Sequence, residues 1–257
     1  MALITYSSKD RIGYITLNRP EKRNALNQEM VDALKAAFAR VAADEAVKIV
    51  VLRATGEAFC AGADLEYLKK LQQFTFEENL ADSRNLMELY KQVYTLPKVV
   101  IAQVQGAALA GGSGLVTVCD FAFAVTEAKF GYTEVRIGFI PAIVATFLLR
   151  KIGEGRAKEL LLTGRLISAD EAARLGMITR VVDKSAIEKE VESFAIHMIN
   201  GTSAQSLATT KSLIGEVQTR SLNDALELAA RENAKARATE DCKRGVDSFL
   251  QKKELKW

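Results

Sequence analysis

Between Gly106 and Glu134 the chain reads GAALAGGSGLVTVCDFAFAVTEAKFGYTE, a glycine-rich stretch that opens a helical pattern and is followed by a solitary acid. Backbone N–H groups at a helix N-terminus present a fixed positive potential, and such donors hold an oxyanion as it develops on a carbonyl. A carboxyl beside them can move protons at the neighbouring carbon. A second glycine-rich stretch, GEAFCAGAD at Gly56–Asp64, follows another apolar run in the same way. The runs IVVLRA from Ile49 and VVIAQV from Val99 read as buried strands, so both glycine loops fall where the carboxyl end of a strand meets a helix. One N–H from each loop makes the pair of donors that an enolate or a tetrahedral oxyanion needs. Glycines that only let a helix approach a strand leave the same local pattern, so the loops by themselves do not fix a function.

Other chemistries lack their residues. The only histidine, His197, sits in ESFAIHMIN on a late amphipathic helix, where apolar neighbours place it in a core or an interface rather than beside a nucleophile. No GxGxxG follows a first strand, and neither GxxxxGKS nor GxxxxGKT is present, which removes hydride transfer on a dinucleotide fold and phosphate-loop hydrolysis. Cys60, Cys119 and Cys242 are odd in number and have no ligand spacing, so neither a disulfide framework nor a metal site is expected. The 35 basic and 32 acidic residues are spread along the chain and leave a net charge of +3, too little for nucleic acid to be the main partner. The longest apolar runs, such as KVVIAQV from Lys98, are far short of a bilayer span, and MALITYSSKD lacks a basic flank leading into an apolar signal core. A cytoplasmic protein with no membrane partner is the expectation.

The elements that must position these loops alternate between strand and helix. With 257 residues, 49% of them hydrophobic and 26% charged, the chain can bury a substantial core. Leu3–Ser7 and Ile12–Leu17 read as a hairpin, Ile49–Ala54 and Val99–Val104 as buried strands, and Phe121–Val125 and Ile178–Val182 as later ones. Met30, Leu34, Phe38 and Val41 recur on one helical face behind Asn27, a candidate N-cap. Leu68, Leu71, Leu86, Leu89 and Val93 mark a second, interrupted helical region. From about Ser203 only helices are expected, over Ser206–Val217, Leu222–Arg237 and Asp241–Lys252. Such a tail packs on a neighbour or caps its own core.

Six segments, in order, resemble the enoyl-CoA hydratase/isomerase family, the crotonase superfamily. They are NRPEKRNALN at Asn18–Asn27, FCAGADL at Phe59–Leu65, the GAALAGGSGLVTVCD stretch, FGYTEVRIGFIP at Phe130–Pro141, LLTGRLISADEAARLGMITRVV from Leu161, and FLQKK near the end. The likeness runs over essentially the whole chain. It implies an α/β fold, a spiral of strand–strand–helix turns over residues 1–200 carrying the coenzyme A and active sites. Residues 201–257 would then form a helical region that builds homotrimers, often stacked as hexamers. By the same resemblance the oxyanion hole falls on the N–H groups of Ala61 and Gly111. Ala61, Gly62, Ala63, Asp64 and Leu65 would line the thioester and pantetheine, and the loop Lys22, Arg23 and Ala25 would lie along the adenine. Phe249 and Lys252 match positions that touch the ligand of a neighbouring subunit. Coenzyme A would be part of the substrate, with no separate cofactor.

Glu134 matches the family's second catalytic glutamate, and a carboxyl held against apolar neighbours such as Phe130 and Phe139 would have its acid form favoured. The family's two-glutamate hydratases carry their first glutamate where this chain has Gly114, and the 20-residue separation of Gly114 and Glu134 matches the family spacing. After Pro141 the chain reads AIVATF in place of a glycine cluster, which implies a bulkier acyl pocket around Ile143, Val144 and Phe147. Syn hydration of a 2-enoyl thioester needs a held water and a proton for C2. One acid suffices if another polar group, such as Tyr132, positions that water. Shifting a double bond from C3 to C2 needs only one base, so isomerisation is the alternative. The flanking residues resemble hydratases of branched or carboxylated esters, such as methylglutaconyl-CoA, more than dedicated isomerases. Restoring an acid by Gly114→Glu is expected to raise hydration relative to isomerisation, provided the pocket tolerates the added bulk. A non-catalytic CoA-ester-binding or RNA-binding protein on the same scaffold is the reading of another class, and the retained Glu134 argues against it.

Overall fold

Continuous apolar runs such as Val99–Val104 make sense only where a strand is covered on both faces, as in a parallel sheet. The computed structural model describes residues 2–257. Its strands are β1 (Ile4–Lys9), β2 (Ile12–Leu17), β3 (Ile49–Ala54), β4 (Val99–Val104), β5 (Ala108–Leu109), β6 (Phe121–Val125), β7 (Lys129–Gly131), β8 (Ile167–Ser168) and β9 (Arg180–Val182). Six of them form one sheet in the order β1-β2-β3-β4-β6-β9, antiparallel between β1 and β2 and parallel thereafter. β4 is buried at every position, while the edge strand β1 is largely exposed. The short strands form a second sheet, β5-β7-β8, with β5 and β7 parallel.

The helices are α1 (Gln28–Ala43), α2 (Leu65–Leu71), α3 (Phe76–Thr95), α4 (Gly111–Val118), α5 (Ala142–Ile152), α6 (Glu154–Thr163), α7 (Ala169–Leu175), α8 (Ile187–Gly201), α9 (Ala204–Val217), α10 (Leu222–Ala238) and α11 (Glu240–Leu250). The repeating unit is strand, strand, helix: β4 leads to β5 and α4, then β6 leads to β7 and α5. These two turns each add one strand to each sheet, the spiral of strand–strand–helix turns that the resemblance implies. Pro20–Lys22 and Glu134–Ile137 are short 3-10 turns.

Local signals place the helix ends. Asn27 accepts the Met30 N–H at 2.9 Å, and the face of α1 that carries Met30, Leu34, Phe38 and Val41 is buried against the sheet. Between α2 and α3, Thr75 and Glu78 form a reciprocal capping box, which is why the helical pattern breaks there. Past Ser203 only α9, α10 and α11 follow. His197 lies outside the core, one of the two places the sequence reading allowed. It is exposed, because Val191, Ala195, Met198 and Ile199 take the buried face of α8 and the histidine falls on the other side.

Lysines that are buried or partly buried tie several helix ends. Lys98 Nζ donates to the Val41 and Asp44 carbonyls at the end of α1, at 2.7 and 2.6 Å. Lys151 Nζ donates to the Thr117 and Cys119 carbonyls at the end of α4, at 3.0 and 2.7 Å. Lys48 does the same for Ile199 and Thr202 at the end of α8. Lys211, on α9, reaches the Val93 and Lys98 carbonyls and pairs with Asp120 at 2.7 Å. Each ammonium sits at the negative end of a helix dipole. No helix among the described residues is long and apolar enough to cross a membrane.

Candidate active site

The two glycine loops lie against each other. The first pairs with β5 through Cys60, whose carbonyl accepts the Leu109 N–H at 2.9 Å. A Cβ built on Gly112 would stand 2.2 Å from that same Cys60 carbonyl oxygen, so only glycine lets α4 approach the loop. A third segment, the turn before α1, completes the contact. Leu26 donates to the Gly62 carbonyl at 2.7 Å and accepts the Asp64 N–H at 2.8 Å. Buried Asn24 anchors that turn, its amide donating to the Thr55 and Ala58 carbonyls at 2.9 and 3.0 Å.

These pairings decide which N–H groups remain free, and they correct one assignment. The Ala61 N–H donates to the Arg23 carbonyl at 3.0 Å and is not available as an oxyanion donor. In extended chain successive N–H groups point to opposite sides. Because Gly62 and Asp64 both bond Leu26 on one side, the Ala63 N–H between them is directed to the other, and it has no acceptor among the described residues. The Gly111 N–H, at the first position of α4, has none either. Leu26 lies between the two: it pairs with Ala63, and its Cδ1 comes within 3.1 Å of a Cβ built on Gly111. Ala110, just before Gly111, holds φ 46° and ψ −119°, a conformation suited to glycine.

Glu134 opens the 3-10 turn after β7, three residues past Gly131, whose carbonyl accepts the Ala110 N–H at 2.7 Å. Its Oε2 is buried and has no hydrogen-bond partner. Desolvation raises the carboxyl above its usual range, outweighing the lowering by its own backbone N–H. Phe130 is fully buried, whereas Phe139 is 56% exposed. Arg136 and Ile137, just past the acid, are exposed as well.

Tyr132 is not free to hold a water. Its ring is fully buried and its hydroxyl shares a 2.5 Å hydrogen bond with Thr117, with the Met177 sulfur 3.9 Å away. The tyrosine that borders the loops is Tyr90, on α3, which sequence reasoning missed. Its hydroxyl donates to the Gly111 carbonyl at 2.6 Å, and it is fully buried. A Cβ built on Gly114 would lie 2.6 Å from that hydroxyl and 2.5 Å from Val144 Cγ1. Gly114→Glu therefore meets an occupied site, and the room that the expectation required is not there. The segment after Pro141 is the start of α5 rather than a loop, and it turns Val144 toward α4 while Phe147 packs edge-on to Tyr90 at 6.3 Å.

The remaining candidate contacts divide. Asp64 caps α2 through the Glu66 and Tyr67 N–H groups and pairs with Arg19 at 2.8 Å, so its side chain is committed and only 4% exposed. Burial raises its carboxyl, yet those N–H groups and Arg19 bring it below the usual range. Ala25 is buried, Leu65 is exposed, and Lys22 pairs with Glu66 at 2.9 Å. Arg23 is exposed and joins no ion pair among the described residues. Phe249 is 83% exposed on α11, with Lys252 just past the helix end. No group of three or more His, Cys, Asp or Glu side chains that could hold a metal is found among the described residues.

Comparison with known proteins places the chain among close relatives. The family model described as enoyl-CoA hydratase/isomerase matches residues 7–257. A Thermus thermophilus protein provisionally named enoyl-CoA hydratase is 42% identical over 245 residues, covering 95% of this chain and 96% of that one. The crotonyl-CoA hydratase of Syntrophomonas wolfei is 32% identical over 253 residues, covering 98% and 96%. Among solved structures, the enoyl-CoA hydratase of Mycobacterium smegmatis superposes with a TM-score of 0.93 at 32% identity, covering 99% of this chain and 98% of that one.

Proposed function

The chain belongs to the enoyl-CoA hydratase/isomerase family, and from that premise we propose that it adds water reversibly across the C2–C3 double bond of a 2-enoyl-CoA thioester. One observation carries the reading: the Glu134 Oε2 is buried without a partner beside a helix start whose first N–H has no acceptor. The thioester oxygen would lie between the Gly111 and Ala63 N–H groups, which take the negative charge as the water oxygen bonds to C3. Glu134 accepts a proton from that water and delivers one to C2. Water adds as hydroxyl and proton, so no electron acceptor is needed and coenzyme A enters as part of the substrate. Hydratases of this kind among the relatives, the crotonyl-CoA hydratase above included, support the same chemistry.

A second reading has its own support. With Gly114 in place of a second acid, a single carboxylate is well suited to take a proton from C2 and return it at C4, isomerising a 3-enoyl to a 2-enoyl thioester. Product-resolved assays with crotonyl-CoA and a 3-enoyl-CoA separate the two. In either case Glu134→Gln is expected to leave acyl-CoA affinity within about twofold while turnover falls roughly 1,000-fold. Unchanged turnover would remove Glu134 from the chemistry.

A homotrimer, alone or as stacked pairs, is the proposed assembly. Leu222, Leu226, Val246, Phe249 and Leu250 are all at least half exposed on α10 and α11, an apolar surface of the kind that associates. Light scattering on the purified protein tests it.

A further inference from the structure

We propose that Tyr90 is a positioning residue of the reaction: its buried hydroxyl, seated where the second acid would stand, holds the Gly111 carbonyl and so keeps the Gly111 N–H aimed at the thioester oxygen. The inference rests on the oxyanion hole proposed above. Two peptide planes meet at the Cα of Gly111, and since glycine has no side chain to limit the turn between them, the helix start keeps one geometry only when both planes are held. The plane that carries its N–H is held by the Gly114 N–H, which donates to the Ala110 carbonyl at 3.0 Å. The plane that carries its carbonyl is held from the side by the Tyr90 hydroxyl at 2.6 Å.

Tyr90 fits closely against the glycines of α4. The ring is fully buried, packed edge-on to Phe147, and the hydroxyl would touch a side chain at either Gly111 or Gly114, at 3.2 and 2.6 Å from a built Cβ. Tyrosine and glycine therefore fill one space between them. Burial raises the phenol far above its ordinary value, with the charge of Glu134 adding to it, so the hydroxyl keeps its proton and remains a donor throughout the working range. A donor fixed on the carbonyl costs no rearrangement when charge develops on the substrate.

Tyr90→Phe keeps the ring and removes only the donor. In steady-state hydration of crotonyl-CoA, kcat is expected to fall about tenfold with KM within twofold, less than the ~100-fold that losing an oxyanion donor outright produces. The readout that packing alone would not move is the thioester carbonyl stretch of crotonyl-CoA labelled with 13C at C1. It is recorded by difference infrared in Glu134→Gln, where turnover does not obscure it, with binding checked by calorimetry. The stretch should fall on binding to Glu134→Gln, and Tyr90→Phe in that background should lose about half of the shift. An undiminished shift, or an unchanged kcat, overturns the role of Tyr90. Absence of any shift in Glu134→Gln with ligand bound overturns the oxyanion hole itself, and this inference with it.

Discussion

The two glycine loops look alike in sequence, yet they leave a backbone donor free for different reasons. In the Gly106–Gly114 loop the free N–H follows from local geometry, because the first residue of any helix has no acceptor one turn back. In the Gly56–Asp64 loop most of the surrounding N–H groups are paired: Phe59 and Cys60 donate to the Ala107 carbonyl, Ala61 to Arg23, and Asp64 to Leu26, while the Gly62 carbonyl accepts from Leu26. Ala63 is free only because the turn before α1 takes the residues on either side of it. A helix start can be read from a short stretch of sequence, whereas a gap in a ladder depends on partners more than thirty residues away in the chain.

Exchanging a single peptide N–H for an ester oxygen tests this contrast most directly. At Ala63 the exchange should lower turnover roughly 100-fold with little loss of stability. At Ala61 it should remove a structural hydrogen bond, lowering stability by about 1 kcal/mol with a much smaller effect on turnover. Rate assays and thermal melts on both proteins decide, and equal behaviour at the two positions would dissolve the distinction. Next in size is Gly114→Glu, which must push aside Val144 and Tyr90. It is expected to lose about 2 kcal/mol in chemical denaturation and to gain no hydration activity. A well-folded variant with faster hydration would show that the space beside Gly114 opens.

The smallest effect is the pH dependence of Glu134. Burial raises its carboxyl in the folded chain, so the native state binds the proton more tightly than the unfolded state does. Stability is therefore lost as pH rises from the unfolded value near 4.5 through the raised native one. Glu134→Gln should melt higher than the parent at neutral pH, with the difference disappearing as the pH falls below about 4.5. A gap in melting temperature that is constant across the range would mean that the carboxyl is not desolvated.

Much of the fold was legible because parallel strands covered on both faces leave nearly continuous apolar runs. Ile49–Ala54, Val99–Val104 and Phe121–Val125 coincide with β3, β4 and β6 residue for residue. The second sheet was not legible, since β5 and β8 have two residues each and carry no periodicity. At the site, the glycine loops and Glu134 announced themselves by type and spacing. Tyr90 did not, because on α3 it continues the buried stripe of Leu89 and Val93, and only the opposing glycines of α4 give its hydroxyl a task. Tyr132 misled for the converse reason: a polar atom near the acid in sequence is claimed in space by Thr117. His197 and Phe139 show that apolar flanking residues do not bury the residue between them.

The lysine ties bear on how the chain comes apart. Lys211 belongs to α9, but it clasps the end of α3 and the Asp120 carboxylate, which itself accepts the Val100 N–H at the first turn into β4 and β6. Lys48, before β3, likewise grips carbonyls at the junction of α8 and α9. The first of the last three helices, α9, is thus stitched to the central sheet. A chain shortened at the start of α9 would forfeit a clamp on β4, the strand that delivers the Gly106–Gly114 loop, and the catalytic centre would slacken from behind.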